Sequence, residues 1–220
     1  IPEAQADPEE INHFIESAHS VDIAAFIESL EPDIGLSYLL EIEVEKRAEV
    51  FSHIDLETQV EFANVLGHEE LAEIASQMAS DNRVDLYNQL DPEEQEQLLE
   101  DLNKEQRDDV QRLSAYADKT AGALMSSEYV TLAGNLSAKE AIEQLRSEAP
   151  KKAAIYRSYI IDAEHRLIGV VRLHELILAA DETPIAEIMD QDPVKMELDD
   201  KQEDVARIIN RYDLTTVPVV

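Results

Sequence analysis

The sequence predicts an α plus α/β protein: an all-α superhelix of short helices, followed by a tandem pair of β-α-β-β-α repeats of which the second is truncated. Three observations predict it. Apolar anchors recur every twelve residues through the first half of the chain. Near Lys119 the charge balance changes from strongly acidic to moderate. Beyond that point the apolar pattern restarts after about 64 residues.

The twelve-residue anchors are Leu30, Ile42, Ile54, Leu66, Met78, Leu90 and Leu102. Eight positions after each stands a second apolar residue: Tyr38, Val50, Phe62, Ile74, Leu86, Leu98 and Val110. That residue precedes the next anchor by four, one helical turn, so both face one side of a helix. Turn or capping residues follow the anchors at Glu31-Pro32, Asp55, Gly67, Ser80-Asp81, Asp91-Pro92 and Asn103. Asp91-Pro92-Glu93-Glu94 reads as N-cap, proline at the first helical position and a capping-box glutamate. Helices of about two turns are unstable alone, so stacking into a solenoid-like superhelix must supply their core.

In the second half, Ser137 to Arg146 reads as an amphipathic helix with Ser137 as N-cap and Glu140 three residues on. Tyr159-Ile160-Ile161-Asp162 and Ile168-Gly169-Val170-Val171 read as strands around a turn at Ala163-Glu164-His165, and Leu173 to Ala180 as a further helix. The pattern restarts at Met189: Val194 matches Val130, Met196 matches Leu132, Val205 matches Ala141 and Ile209 matches Leu145. The second copy reaches Thr216-Val217-Pro218-Val219-Val220 without its turn, second strand and last helix, so the chain reads as part of a longer protein. The expected domains are 1–118 for the acidic superhelix, 119–188 for the first module and 189–220 for the incomplete second.

Composition narrows the function. The 220 residues hold 49 acidic and 18 basic side chains, a formal charge of −31, and no cysteine. Residues 1–118 hold 31 acids and 6 bases, a net −25, while residues 119–220 carry −6. A chain this acidic lacks the basic footprint that nucleic acid or an anionic membrane surface requires. It suits hard cations or basic partners. The missing cysteines exclude disulfides, thiolate zinc sites and cysteine nucleophiles. No run is long and apolar enough to cross a membrane, and no signal-peptide pattern opens the chain, so the cytosol is the simplest compartment. His13, His19, His53, His68, His165 and His174 are scattered without metalloprotease or triad spacing, and there is no phosphate-binding loop, so no enzyme is expected.

The tandem repeat resembles a pair of cystathionine-β-synthase (CBS) modules. The whole chain resembles something more specific. Thr120-Ala121-Gly122-Ala123-Leu124-Met125 followed by Glu128-Tyr129-Val130 is similar to the junction of the MgtE family of magnesium channels. So are Ala186-Glu187-Ile188-Met189, Tyr212-Asp213, Val217-Pro218-Val219-Val220, and Ser52-His53 inside an acidic superhelix. The resemblance implies a cytosolic gate-regulating region on a plasma (inner) membrane protein, a homodimer formed through the CBS modules, and transmembrane pore helices following the second module.

Asp81 and Asp85, spaced i,i+4, project from one face of a short helix, where two like charges repel mildly unless a cation bridges them. In a chain with 49 acids such a pair also arises as a plain solvated face, and spacing alone leaves both readings open. Magnesium takes one or two carboxylates per site and keeps much of its water, so no dense cage is needed. The resemblance implies Mg2+ as ligand. It places ligands on Asp81, Asp85 and Glu49 in the superhelix, on Glu203 and Asp213 in the CBS part, and on the backbone carbonyl of Ala123. The family usually has Gly at this last position, and the carbonyl survives as a ligand in Ala unless φ must be positive. A second ligand class is an adenine nucleotide. CBS modules often carry Gly-x-x-Ser/Thr-x-x-Asp; Gly169 to Glu175 places Arg172 at the hydroxyl position and Glu175 at the acid position, and Arg172 could still meet a phosphate. The expected function is therefore Mg2+ sensing that gates uptake by ion bridging of acidic faces. The alternative is a soluble CBS regulator that binds an adenine nucleotide and docks a partner through its helical part.

Overall fold

The computed structural model describes residues 7–148 and 154–220. The chain divides into two compact units, Ile1–Ser114 and Ala115–Val220.

In the first unit the described residues form α1 (Pro8–Ser17), α2 (Ser20–Glu28), α3 (Pro32–Glu41), α4 (Val44–His53), α5 (Leu56–Ala63), α6 (His68–Gln77), α7 (Ser80–Gln89), α8 (Pro92–Asp101) and α9 (Lys104–Leu113). The twelve-residue period is one helix plus its exit. Ile42, Ile54, Met78, Leu90 and Leu102 each leave a helix with extended backbone while their side chains stay buried. The second apolar positions, from Val50 to Val110, are buried as well. Asp91 caps α8 in the expected reciprocal manner: Asp91 Oδ1 accepts from Glu94 N at 3.0 Å and Glu94 Oε2 accepts from Asp91 N at 3.1 Å. At α7 the structure differs from the expectation. Ala79, not Ser80, is the N-cap, and it offers no side-chain acceptor. Alternate helices stack, α2 on α4, α4 on α6 and α6 on α8 in one row, α3 on α5, α5 on α7 and α7 on α9 in the other. Phe26, Phe51, Phe62, Leu39, Ile74 and Leu86 lie fully buried between the rows and supply the core these short helices lack alone.

A further periodic position has a different task. Five residues after five of the seven anchors stand Arg47, Gln59, Arg83, Gln95 and Arg107, with Gly35 and Leu71 at the other two such positions, and each of the five donates to carbonyls where the preceding helix ends. Arg47 Nη2 reaches Ile42 O at 2.9 Å, Gln59 Nε2 reaches Ile54 O at 2.8 Å, Arg83 Nη2 reaches Met78 O at 2.6 Å, and Arg107 Nη2 reaches Leu102 O at 2.9 Å. Those carbonyls are the orphan acceptors of a helix end, and a cation there also suits the local dipole. Lys46 does the same for Ile15 O at 2.6 Å. Four of the six basic side chains in residues 1–118 thus serve backbone carbonyls.

The second unit holds β1 (Tyr129–Ala133), α10 (Ala138–Glu148), β2 (Ala154–Ile161), β3 (Leu167–Arg172), α11 (Leu173–Leu178), α12 (Ile185–Ile188) and α13 (Gln202–Tyr212). Strand β2 is central, parallel to β1 and antiparallel to β3. Val130, Leu132, Ile160 and Val171 from the sheet pack with Ala141, Leu145 and Leu176 from the helices. Ser137 and Glu140 cap α10 reciprocally, with Ser137 N donating to Glu140 Oε2 at 2.8 Å. Helix α13 begins and ends 64 residues after α10, as the repeat requires. In this second copy the strand pairing is reduced to a parallel bridge between Met196 and Val219 over a small core of Ala121, Met196 and Val205.

Gly169 marks a close approach. A Cβ there would lie 2.7 Å from Met189 Sδ and 2.9 Å from Asp190 O. The backbone cannot retreat, because Val170 and Asp190 exchange hydrogen bonds of 2.9 and 2.8 Å. Gly169→Ala should therefore cost about 2 kcal/mol by overpacking. Urea unfolding followed on the CBS part reads this, and an unshifted midpoint would show that the contact yields freely.

Candidate functional site

In the superhelix, Asp81 and Asp85 lie one turn apart on α7, and their charges interact. Partial burial of the Asp85 carboxyl pushes its pKa up, and the Asp81 charge pushes it the same way. Asp85 lines a cleft of about 190 Å³ with Asn82 of α7, Ser52 and Ile54 at the end of α4, and Leu56 and Gln59 of α5. The Ser52 hydroxyl donates to Ala48 O at 2.8 Å, which leaves its lone pairs for the cleft. Gln59 is 5% exposed, and while its Nε2 holds the Ile54 carbonyl, its Oε1 is buried without a hydrogen-bond partner. Glu49 stands on α4 one turn before Ser52, exposed, and outside the lining of this cleft. The two aspartates thus share one face of α7, while Glu49, on α4, is not among the residues that line their cleft. Sequence reasoning missed Gln59; its signal was the position five past an anchor, masked because that position varies among arginine, glutamine, glycine and leucine.

In the CBS unit, Ala123 lies in a 3-10 turn, Gly122–Leu124. Positive φ among non-glycine residues occurs at Lys119, His165 and Asp213, so Ala123 adopts its conformation without the strain that would require glycine. The preceding backbone is stitched to the segment before α13: Ala121 N donates to Asp200 O at 2.7 Å, and Gln202 N to Lys119 O at 3.0 Å. Glu203, exposed in the first turn of α13, therefore lies on a segment adjoining the Ala123 turn. Asp213 caps the far end of α13 with φ 49 and ψ 49. Glu203 and Asp213 are about 15 Å apart along the helix axis at ~1.5 Å per residue, so they cannot share one ion within a chain. Among the described residues no group of three or more carboxylate or imidazole side chains converges.

Asp213 borders a larger cleft, about 500 Å³, lined also by Tyr156, Arg157, Arg172, His174 and Tyr212. Tyr156 and Tyr212 are 73% and 49% exposed, wide apolar faces beside two guanidinium groups. Arg157 Nη1 is tied to Thr216 O at 3.0 Å. Glu175 takes no part in the cleft lining: its Oε2 accepts from Arg172 N at 2.7 Å and caps α11. This cleft offers cation and ring recognition to a planar anionic ligand.

Comparison with known proteins adds the following. Residues 18–119 match the MgtE intracellular N domain family, and residues 121–182 match the CBS domain family. The chain is 38% identical over 111 residues to the magnesium transporter MgtE of Enterococcus faecalis, half of this chain and 24% of that protein. It is 40% identical over 114 residues to the magnesium transporter MgtE of Thermus thermophilus, 52% of this chain and 25% of that protein. The matched stretch is thus about a quarter of the length of these curated relatives. Among solved structures, the cytosolic domain of the Mg2+ channel MgtE in complex with ATP superposes with a TM-score of 0.90 at 33% identity, covering 97% of this chain and 88% of that one. The soluble part of a magnesium transporter gives 0.86 at 30% identity, covering 96% and 85%.

Proposed function

Since the chain belongs to the MgtE family, in the cytosolic N-domain and CBS region of that fold, we propose that it senses Mg2+ and that bound ions regulate uptake through a transmembrane pore. The observation that carries the reading is the Asp81–Asp85 pair: a carboxyl group pushed up by burial and by a like charge is one that a divalent cation would relieve. At low Mg2+ the acidic superhelix, net −25, is held off by carboxylates of the CBS part. At high Mg2+ ions bind Asp81, Asp85 and Glu49, with others at Glu203, Asp213 and the Ala123 carbonyl, and the compact form holds the pore shut. Several weak ions suffice, because each favours the compact state and their effects multiply. The proposed assembly is a homodimer through the CBS modules, on the cytoplasmic face of the plasma (inner) membrane. No described helix is long and apolar enough to cross a membrane, so the pore would be contributed by other parts of the polypeptide.

Thermal unfolding tests this. Each ion present at ten times its Kd adds about 1.4 kcal/mol, a shift of roughly 3–6 °C. Mg2+ in the millimolar range should raise Tm without nucleotide, and a flat titration would overturn the reading. A second ligand is favoured by the Arg157–Arg172–Tyr156–Tyr212 cleft and by the ATP complex of the similar MgtE structure: an adenine nucleotide, stacked on an exposed tyrosine with its phosphates toward Arg172. ATP alone should then also raise Tm, and Arg172→Ala should remove that gain while leaving the Mg2+ response intact.

A further inference from the structure

The sheet of the CBS unit sets two arginines directly opposite each other. Arg157 of β2 and Arg172 of β3 are register partners in the antiparallel pair, so their side chains leave the same face of the sheet. Like charges so placed repel, and an anion between them reverses the sign. Both line the cleft of about 500 Å³, and among the described residues neither forms an ion pair. Helix α11 starts where β3 ends and gives Leu173, His174 and Ile177 to the same cleft. Spaced i,i+3 and i,i+4, these three share one helix face. An exposed imidazole thus stands beside the arginine pair, next to two apolar side chains. The acid that faces it is Asp213, from the end of α13, the one carboxylate among the lining residues. Glu175 is committed to the Arg172 amide. Helices α10 and α12, which also pack on α11, give the cleft no residue.

A guanidinium keeps its charge at any working pH, whereas an imidazole changes its charge across about pH 5 to 8. We propose that His174, as imidazolium, is a third phosphate-binding group of this cleft beside Arg157 and Arg172, so that the nucleotide affinity of the CBS unit rises as pH falls. The proposal rests on the adenine-nucleotide reading of the cleft and deepens it from which ligand binds to when it binds. With the imidazole neutral, the lining carries two positive charges against one negative; the imidazolium makes it three against one. One charge-assisted hydrogen bond from a partly solvated group corresponds to about tenfold in Kd.

Calorimetric titration with ATP in the presence of chelator, at about pH 6 and about pH 8, tests this. The terminal phosphate of the nucleotide also gains a proton over this range, which loosens its hold on cations and works in the opposite direction. His174→Gln measures that background. Against it, wild type should gain about tenfold in affinity at the lower pH. His174→Arg should bind tightly at both. Because His174 is exposed, both variants should fold as wild type does. Wild type titrated in buffers of different ionisation enthalpy should take up more protons on binding than His174→Arg. Equal pH ratios for wild type and His174→Gln, or equal proton uptake for wild type and His174→Arg, overturn the proposal and leave nucleotide binding standing. Wild type that binds no ATP at either pH overturns both.

Discussion

Arg83→Met is expected to destabilise the superhelix by about 3 kcal/mol. Arg83 is 5% exposed, and its Nε and Nη2 donate to Ala75 O at 2.7 Å and Met78 O at 2.6 Å. Methionine replaces the aliphatic stem, so packing is largely kept. The two carbonyls lose a charged donor in a buried setting, each a loss of about 1–3 kcal/mol. Arg166 is the useful contrast. It pairs with Asp162 at 2.7 Å, but its side chain is 73% exposed, and Arg166→Met should cost under about 1 kcal/mol. Urea unfolding of both variants reads the difference, and equal midpoints would show that the two carbonyl contacts add no stability.

The second large effect is expected from Asp81→Asn with Asp85→Asn. The folded pKa of Asp85 is raised, so the folded state binds its proton more tightly than the unfolded state does. Stability on this account declines as pH rises from the unfolded through the folded pKa, a penalty carried by the charged carboxylate above that range. The double variant removes it, so Tm in chelator at pH 7 should rise above wild type. The same variant should lose the superhelix share of the Mg2+ gain and, with it, Mg2+-induced compaction in small-angle scattering. A double variant that compacts like wild type would remove these two residues from the sensor.

Most of the fold was legible because it is periodic. The anchors at twelve-residue spacing marked where helices end, and the 64-residue offset placed α13 over α10 to the residue. The capping boxes at Asp91 and Ser137 were legible because they are local. Ala79 as the cap of α7 was not, since alanine carries no capping chemistry and the serine beside it does. Asp81 and Asp85 sharing a face followed from helical geometry. Their cleft did not, because it is closed by Ser52 and Gln59 from α4 and α5, some thirty residues earlier in sequence. Glu175 shows the opposite limit: its place in a motif suggested a ligand, and the helix beside it claimed the carboxylate.

The capping arginines and lysine have an electrostatic side. Much of their donor capacity goes to backbone carbonyls, and with 31 acids against 6 bases in residues 1–118 the first unit is a polyelectrolyte with a dense counter-ion atmosphere. Within a Debye length of about 8 Å that atmosphere enriches divalent over monovalent ions before any of them finds a ligand. Sodium, potassium and magnesium thus compete for the same layer, so the Mg2+ response proposed above should shift with the total ionic composition of the surroundings as well as with one metal.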